Sequence, residues 1–204
     1  VLRARPTVNR NGAGTDHGWG GNAFVAGGQN LFINTGLLIR AETPGQVIGV
    51  IAHETGHIAG GHLARRHEEL ANATAASILS MILGGAAVLA GAPDAGAAIL
   101  GGGQGMAQRA FLAYSRTHEA SADQAAMTYL DRTHQSTKGL LEFMGKLRSN
   151  ELLINASPDP YVLTHPLTTE RIDALEAHVA RSPYSSVPDD PELVALHARM
   201  RAKL

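Results

Sequence analysis

The sequence predicts an α+β fold that is mainly helical, with a small β-sheet edge beside a buried helix. Two short apolar runs flank the glycines at residues 27–28, a helix start signal stands at Thr43, and apolar residues recur at helical spacing over residues 119–130. The chain has 204 residues, a length typical of one domain with its own hydrophobic core. We therefore expect residues 1–204 to form a single domain.

Composition excludes several classes of function. Seventeen Lys and Arg residues balance eighteen Asp and Glu residues, for a formal net charge of -1, so no nucleic-acid partner is expected. The absence of Cys excludes disulfides, thiolate metal ligands and thiol nucleophiles. The ten His residues are an excess, and one stretch holds four of them: His53, His57, His62 and His67. A functional site is expected in that stretch.

The chain is predicted to open with a loop and two short strands. Residues 1–22 are rich in Gly and show little apolar periodicity, which is typical of a loop. Residues 23–26 and 31–33 are short apolar runs on either side of a Gly turn, which predicts a pair of strands. The Asn-Thr-Gly sequence at residues 34–36 then ends the second strand.

A buried helix is predicted to begin after Thr43. Thr43 is the N-cap, Pro44 takes the first helical position, and Gln46 follows three residues after the cap, as in a capping box. Residues 47–52 are apolar on every side, so the helix is expected to run through the interior. Polar side chains that follow on such a helix need partners.

Residues 70–108 carry one formal charge, at Asp94, and are rich in Ala, Gly, Leu and Ile. Residues 70–93 are long enough to span a bilayer, which takes about 20 residues, but their Ser and many Ala residues weaken that interpretation. The favoured interpretation of 70–108 is an apolar flap or a helical hairpin packed on the domain, with the Gly run at 101–103 as a flexible joint. Contact with a membrane surface or a partner protein is the alternative.

A second helix is predicted from about residue 110 to residue 130. Glu119 and Asp123 lie on one face of this helix, on a stripe that is otherwise apolar. Buried carboxylates are costly unless they are paired or bind a metal, so these two need partners. Further amphipathic helices are predicted at 137–150, 166–181 and 191–204.

The chemistry is expected on the buried helix, where residues 53–57 read His-Glu-Thr-Gly-His and fit the pattern H-E-x-x-H. His53 and His57 lie four residues apart on one helical face, so both imidazoles can bind one zinc ion at about 2.0–2.1 Å. Glu54 is displaced from that face and is placed to act as a general base toward a water at the open position of the metal. A chance match would bury three polar side chains without a reason.

A catalytic zinc needs a third protein ligand, and His62 and Glu119 compete for that role. In the pattern H-E-x-x-H-x-x-G-x-x-H the third His would fall at Leu63, so His62 stands one residue early. Glu119 lies on the second helix with Asp123 one turn later. We therefore predict that Glu119 binds the metal and that Asp123 accepts the outer N–H of a ligating His.

The motifs, taken in order, resemble peptidase family forty-eight, the zinc metalloproteases that include HtpX-like, prenyl-CAAX and BepA-like periplasmic proteases. The resemblance covers most of residues 22–175. The segments that carry it are Asn22-Ala23-Phe24, Gly27-Gly28, Asn34 to Leu38, Val50 to His57, Tyr114 to Asp123, Thr164-His165-Pro166 and Glu170-Arg171-Ile172. It implies a zincin-type (gluzincin) domain with one Zn²⁺ per chain.

For the site, the resemblance implies that His53, His57 and Glu119 bind zinc, that Glu54 is the base and that Asp123 supports a ligand. The reaction expected is hydrolysis of internal peptide bonds by a metalloendopeptidase without a covalent acyl-enzyme. Its substrates would be proteins or peptides, namely misfolded or stalled envelope proteins.

The resemblance to BepA-like members favours a periplasmic protein, soluble or peripherally associated with a membrane, with residues 70–108 as the contact to a membrane or an outer-membrane assembly partner. The long apolar spans expected of HtpX-like or prenyl-processing relatives are not evident in the sequence. The alternative function is that of a zinc-containing chaperone or assembly factor that binds membrane or client proteins without proteolysis.

Two further assignments extend the site. Asn22, Ala23 and Phe24 are predicted to form a strand edge on which an extended peptide substrate pairs by main-chain hydrogen bonds, with a plain core strand as the alternative. His165 is predicted to be a fourth metal ligand that holds the enzyme inactive, or else it or Arg171 stabilises the tetrahedral oxyanion. A His that simply starts a helix is the alternative for His165.

Overall fold

The computed structural model describes residues 23–26, 29–153 and 160–204. The elements in chain order are β1 (Ala23–Ala26), β2 (Asn30–Ile33), α1 (Thr35–Arg40), α2 (Pro44–Ala59), α3 (His62–Leu89), α4 (Pro93–Arg132), α5 (Lys138–Leu153), α6 (Pro160–Thr164), α7 (Thr169–Val179) and α8 (Pro191–Arg201). A mainly helical chain with one two-stranded sheet confirms the predicted α+β class. The loop predicted at residues 1–22, which includes Asn22, lies outside the described residues.

The strands β1 and β2 form an antiparallel pair in which Ala23 lies opposite Ile33 and Phe24 lies opposite Phe32. Because side chains alternate along a strand, the two faces of this sheet differ. Ala23 is fully buried in a core cluster that also contains Val50 of α2. The Phe24 and Phe32 rings stack with centroids 5.2 Å apart on the exposed face.

The start of α2 is fixed by three side chains. Thr43 is the N-cap, as predicted, and its Oγ1 accepts a hydrogen bond from the Gln46 N–H at 3.3 Å. The predicted capping box is wrong in one respect, because Oε1 of Gln46 accepts its bond from the Glu42 N–H at 3.0 Å and not from the N-cap residue. The carboxylate of Asp189 accepts a further bond from the Gly45 N–H at 3.2 Å. A residue distant in sequence therefore satisfies one of the free N–H groups at this helix end.

The core is built around α2, which packs against α5, and α5 in turn packs against α7. Its buried apolar side chains form two clusters, and Leu167 packs against both of them. The first contains Ala52, Ala126, Met127, Leu130, Leu140, Met144 and Leu175, and the second contains Ala23, Leu37, Val50, Phe143, Leu147 and Tyr161. Helices α4 and α7, which carry the remaining site residues, are thus anchored by the same core as the H-E-x-x-H helix.

Two glycines of α2 set its distance from neighbouring helices. A Cβ at Gly49 would lie 2.7 Å from Cβ of Leu140 on α5. A Cβ at Gly56 would lie 2.7 Å from the carbonyl oxygen and 2.9 Å from Cα of Ala122 on α4. Since interiors are close-packed and backbone cannot move aside cheaply, these contacts require Gly. They bring α4 against the face of α2 that carries the histidines.

We expect Gly56→Ala to lower the free energy of unfolding by about 1–3 kcal/mol, because the new methyl group meets the backbone of Ala122. Gly145→Ala in α5 is the matched control, since nothing lies within 4 Å of a Cβ there and Ala is the better helix former. Urea denaturation of both variants measures the difference. A Gly56→Ala protein as stable as the control would contradict the close approach of α2 and α4.

The described chain divides into two compact units. One combines the described residues up to Gly60 with Glu119–Leu204, and the other is Gly61–His118. The second unit contains α3 and the first part of α4, which starts at Pro93 and not near residue 110 as predicted. The Gly run at residues 101–103, predicted to be a flexible joint, lies inside this helix. Within the run, Gly103 lies against Ser80 of α3, and this contact offsets part of the low helix propensity of Gly.

Helix α3 also has a membrane-like composition. Among the described residues it is the one helix that is long and apolar enough to cross a membrane, and its most apolar stretch of 18 residues has a mean hydropathy of 1.6. Core helices of soluble proteins have the same length and composition, but they are mostly buried. Only 6% of this apolar stretch of α3 is buried.

Candidate active site

The two histidines of α2 direct their outer nitrogens toward each other. Nε2 of His57 lies 3.0 Å from Nε2 of His53, and the rings meet edge to face with centroids 4.7 Å apart. His53 is fully buried, and Glu54 beside it is 1% exposed. The i, i+4 spacing on one helical face produces this convergence, as expected for H-E-x-x-H.

Glu119 reaches the same point from α4. Its Oε2 lies 3.3 Å from Nε2 of His53, and its Oε1 lies 3.3 Å from Nε2 of His57. Burial alone would raise the pKa of Glu119, but the imidazoles around it outweigh this effect and lower the pKa below its usual value. In a tetrahedral site with bonds of about 2.0–2.1 Å, donor atoms stand about 3.3 Å apart. The spacing of these three side chains therefore fits one zinc ion.

His165 brings a fourth donor to this point. It follows the short helix α6, and its Nδ1 lies 3.3 Å from Oε2 of Glu119 while its Nε2 lies 3.4 Å from Oε1 of Glu54. One donor atom from each of His53, His57, Glu119 and His165 lies within 4.8 Å of the others, and we call these residues the four-donor group. A single metal ion fits between all four.

Tyr161 was missed by sequence reasoning and holds His165 in place. Its ring stacks on the imidazole of His165 with centroids 4.5 Å apart and meets Phe143 edge to face at 5.9 Å. Its carbonyl oxygen accepts a hydrogen bond from the His165 N–H at 2.8 Å. The signal available in the sequence was the i, i+4 spacing of two ring-bearing residues, which places both on one side of a helical turn.

Asp123 and Arg171 orient His53 from behind. Nδ1–H of His53 donates to Oδ1 of Asp123 at 2.7 Å, which leaves Nε2 as the nitrogen directed at the four-donor group. Arg171 donates to both carboxylate oxygens of Asp123, from Nε at 2.6 Å and from Nη2 at 2.8 Å. Its Nη1 donates to the carbonyl of Pro166 at 2.9 Å and lies 3.0 Å from Oε2 of Glu119. This bidentate pair is fully enclosed, with both side chains 3% exposed.

Burial and pairing shift the pKa values of the site in different directions. Burial raises the pKa of Glu54 to about 7 and lowers the pKa values of His57 and His165. Burial alone would lower the pKa of His53 too, but hydrogen bonds to Asp123 and the nearby Glu119 carboxylate raise it to about 9. For Asp123, burial alone would raise the pKa, yet hydrogen bonds from Arg171 and His53 lower it. The buried charges of His53, Asp123 and Arg171 are thus stabilised by hydrogen bonds between these side chains.

The other residues singled out by sequence lie elsewhere. Ala23 is buried in β1 and Phe24 is exposed on it. His62, which competed for the third-ligand role, is buried in the Gly61–His118 unit, where its ring stacks on His118 with centroids 4.0 Å apart. It does not belong to the four-donor group.

Comparison with known proteins places this geometry in a family. A relative from Vibrio cholerae is 32% identical over 152 residues, which are 74% of this chain and 31% of the relative. The beta-barrel assembly-enhancing proteases of Yersinia pestis and Escherichia coli K12 are 30% and 26% identical over the same shares of the two chains. The chain thus spans about a third of the length of the curated relatives it matches. Residues 13–179 match the sequence pattern of Peptidase family M48. That match includes the whole four-donor group, and the chain belongs to Peptidase family M48, the zinc-dependent metalloendopeptidases.

Proposed function

We propose that this chain hydrolyses internal peptide bonds with zinc held by His53, His57 and Glu119, and with Glu54 as general base. The observation that carries the proposal is the convergence of three side chains beside the buried carboxylate of Glu54: the Nε2 atoms of His53 and His57 lie 3.0 Å apart, and each lies 3.3 Å from an oxygen of Glu119. A carboxylate next to such a centre is the arrangement required for hydrolysis by an activated water.

Each side chain has a defined task in this mechanism. Zinc, when bound, polarises the scissile carbonyl and lowers the pKa of a water molecule to about 7. Glu54 accepts the proton of the attacking water on Oε1, which accepts no hydrogen bond among the described residues, and donates it to the leaving amine. Asp123 fixes the tautomer and ring orientation of His53, and Arg171 holds Asp123. Because its donors are directed at Asp123, Pro166 and Glu119, we assign Arg171 a positioning role and not oxyanion binding.

Metal content measured by mass spectrometry, together with casein hydrolysis, tests this function. We expect one zinc per chain, hydrolysis that is lost on treatment with a chelator, and recovery on addition of Zn²⁺. The rival function, a zinc-containing chaperone or assembly factor without proteolysis, predicts the same zinc content but no cleavage in any of these conditions.

For the substrate class we propose misfolded or stalled envelope proteins in the periplasm. The support is the name of the relatives, beta-barrel assembly-enhancing protease, since barrel assembly is an envelope process. Residues 70–108 would provide the peripheral contact to a membrane or to an outer-membrane assembly partner. An unfolded outer-membrane β-barrel protein should be cleaved, and the same protein folded in detergent should not. Equal cleavage of both forms would contradict this substrate class.

We propose that substrate pairs with the open edge of β1 in the segment predicted at Asn22, Ala23 and Phe24. In the described sheet β1 pairs with β2 alone, so its other edge has no strand beside it there. We expect Phe24→Ala to raise KM for a peptide several-fold. Phe32→Ala is the matched control, because it removes the same ring stack without changing β1. Equal KM values for both variants would remove the substrate role of Phe24.

We propose that His165, in the position described, completes the four-donor group and so closes the position that substrate needs. Its Nδ1 and Nε2 lie between Glu119 and Glu54, at 3.3 and 3.4 Å. His165→Ala should therefore raise basal casein hydrolysis while leaving zinc content at one per chain. A fall in hydrolysis would favour the oxyanion role instead, and unchanged hydrolysis would exclude both roles.

A further inference from the structure

From Leu70 to Leu89 helix α3 carries no formal charge, and its large apolar side chains are exposed. Ile78, Leu79, Ile82 and Leu83 are each more than half exposed and lie within an arc of about 140° at 100° per residue. Met81, which is 53% exposed, extends the exposed apolar surface to about 200° of the circumference. Leu89 near its end is 91% exposed. A helix of a soluble protein that lies on the surface has a polar face, whereas one that is apolar all round is buried in a core or in a membrane. Only 6% of the apolar 18-residue stretch of α3 is buried within the protein.

The contact between α3 and α4 uses small residues. A Cβ at Gly84 would lie 3.0 Å from the carbonyl oxygen of Gly96, and a Cβ at Gly96 would lie 2.7 Å from that of Gly84. Further along, Ser80 faces Gly103. The two helices thus approach closely at Gly84 and Gly96, with the side chains of Leu100 and Val88 packed beside these glycines. Ile78, Leu79, Ile82 and Leu83 stay exposed. Small residues at the helix contact are typical of helices that pack inside a membrane. In a hairpin of a water-soluble protein, the large apolar side chains would be buried against the rest of the protein instead.

The hydroxyl groups of α3 are satisfied within the helix. Thr74, Ser77 and Ser80 donate to the carbonyl oxygens four residues earlier, at 2.8, 2.9 and 2.9 Å. In a hydrocarbon environment each polar group must find its partner inside the protein, and these three have done so. The hydroxyls therefore do not oppose insertion of the helix into lipid.

Formal charge is confined to the two ends of the hairpin formed by residues 62–118. The uncharged stretch of α3 from Leu70 to Leu89 is about 30 Å long at 1.5 Å per residue, which is the thickness of a bilayer core. Asp94 stands at the tip. At the base, where His62 stacks on His118, the sequence has four arginines and two glutamates: Arg65, Arg66, Arg109, Arg116, Glu68 and Glu69. A net positive base complements anionic lipid headgroups.

We propose that the hairpin of residues 62–118 inserts into the hydrocarbon core of an anionic lipid bilayer. Helix α3 spans the core, α4 packs against it through Gly84, Gly96 and Gly103, and Arg65, Arg109 and Arg116 lie among the headgroups. This goes beyond the peripheral contact proposed above, because the occupant is the lipid interior and neither a membrane surface nor a protein partner.

Flotation of the full chain with vesicles tests the proposal. The vesicles contain phosphatidylethanolamine and phosphatidylglycerol at 3:1, with phosphatidylcholine vesicles as the neutral comparison. We expect the protein to float with the anionic vesicles and Leu79→Glu/Leu83→Glu to reduce the bound fraction at least about tenfold. The matched control is Leu193→Glu/Leu196→Glu, which changes two exposed leucines of α8. Zinc content and casein hydrolysis of each variant show whether the metallopeptidase unit is intact, independently of lipid binding.

Depth is measured with single cysteines, which the native sequence lacks. A fluorophore on Ile82→Cys should shift to the blue on addition of vesicles and be quenched best by lipids brominated at mid-chain. The same fluorophore on Leu112→Cys, near the base, should be quenched best by headgroup quenchers, and on Leu196→Cys it should not respond. Failure of the protein to float, or flotation that the double Glu variant does not reduce, would overturn the proposal. The proposal would also be overturned if headgroup quenchers quenched the fluorophore at residue 82 best. The same holds if an unfolded protein shifted the emission of that fluorophore to the blue without vesicles.

Discussion

Replacing Glu54 with Gln is expected to lower kcat/KM for peptide hydrolysis by about 10²- to 10⁴-fold while zinc stays bound at one per chain. Gln keeps the size and polarity of the buried Glu54 side chain but cannot accept a proton from water. The proposed metal donors, His53, His57 and Glu119, are unchanged in this variant, so the metal content separates loss of chemistry from loss of the site.

Casein hydrolysis and metal analysis on the same preparation make this comparison. Glu176→Gln is the control, because Glu176 is an exposed residue of α7 and the same atoms change there. Hydrolysis by Glu54→Gln within tenfold of the control would show that Glu54 is not the base. Loss of zinc in Glu54→Gln would show instead that the carboxylate holds the site together.

Replacing Arg171 with Met is expected to have the largest effect on stability. Arg171 is 4% exposed and donates two hydrogen bonds to Asp123, at 2.6 and 2.8 Å. Its removal leaves the carboxylate of Asp123 buried with one partner fewer, and breaking a buried pair in this way costs about 3–5 kcal/mol of the free energy of unfolding. Because Asp123 orients His53, zinc affinity should also fall by about 10- to 100-fold.

Two measurements check this prediction: urea denaturation of the metal-free protein and zinc titration against a competing chelator. Arg181→Met, a change at an exposed position, should alter the free energy of unfolding by no more than about 0.5 kcal/mol. Arg171→Met combined with Asp123→Asn should recover part of the stability, since the unpaired charge is gone, but not the zinc affinity. A loss of stability no larger than that of the control would mean that the pair is not needed.

The elements that depend on local signals could be predicted from the sequence. The start of α2 at Thr43 and the strand pair around residues 27–28 follow from capping and turn residues, whose partners are a few positions away. The pairing of His53 with His57 follows equally from helical spacing. The predicted start of α4 near residue 110 was wrong because the Gly run at residues 101–103 has low helix propensity. The contact of Gly103 with Ser80 of α3 has no local signal in the sequence.

Contacts between distant residues could be predicted only in part. Glu119 was favoured over His62 because a motif placed the latter one residue early, and not because any pattern shows which helices meet. The bond between Arg171 and Asp123 joins residues 48 positions apart, and no periodicity predicts such a pair. The stacking of Tyr161 on His165 had a local signal, but helix α6 has only 5 residues, too few to show a helical pattern in the sequence.

The cap that Asp189 provides for α2 has a consequence for how this enzyme can be divided. The family pattern stops at residue 179, whereas the carboxylate that receives the Gly45 N–H comes ten residues later, and α8 packs against α2 beyond it. A fragment trimmed to the family boundary would lose this bond at the start of α2 and keep only the cap from Thr43. A fragment that keeps both contacts to α2 therefore has to include Asp189 and α8.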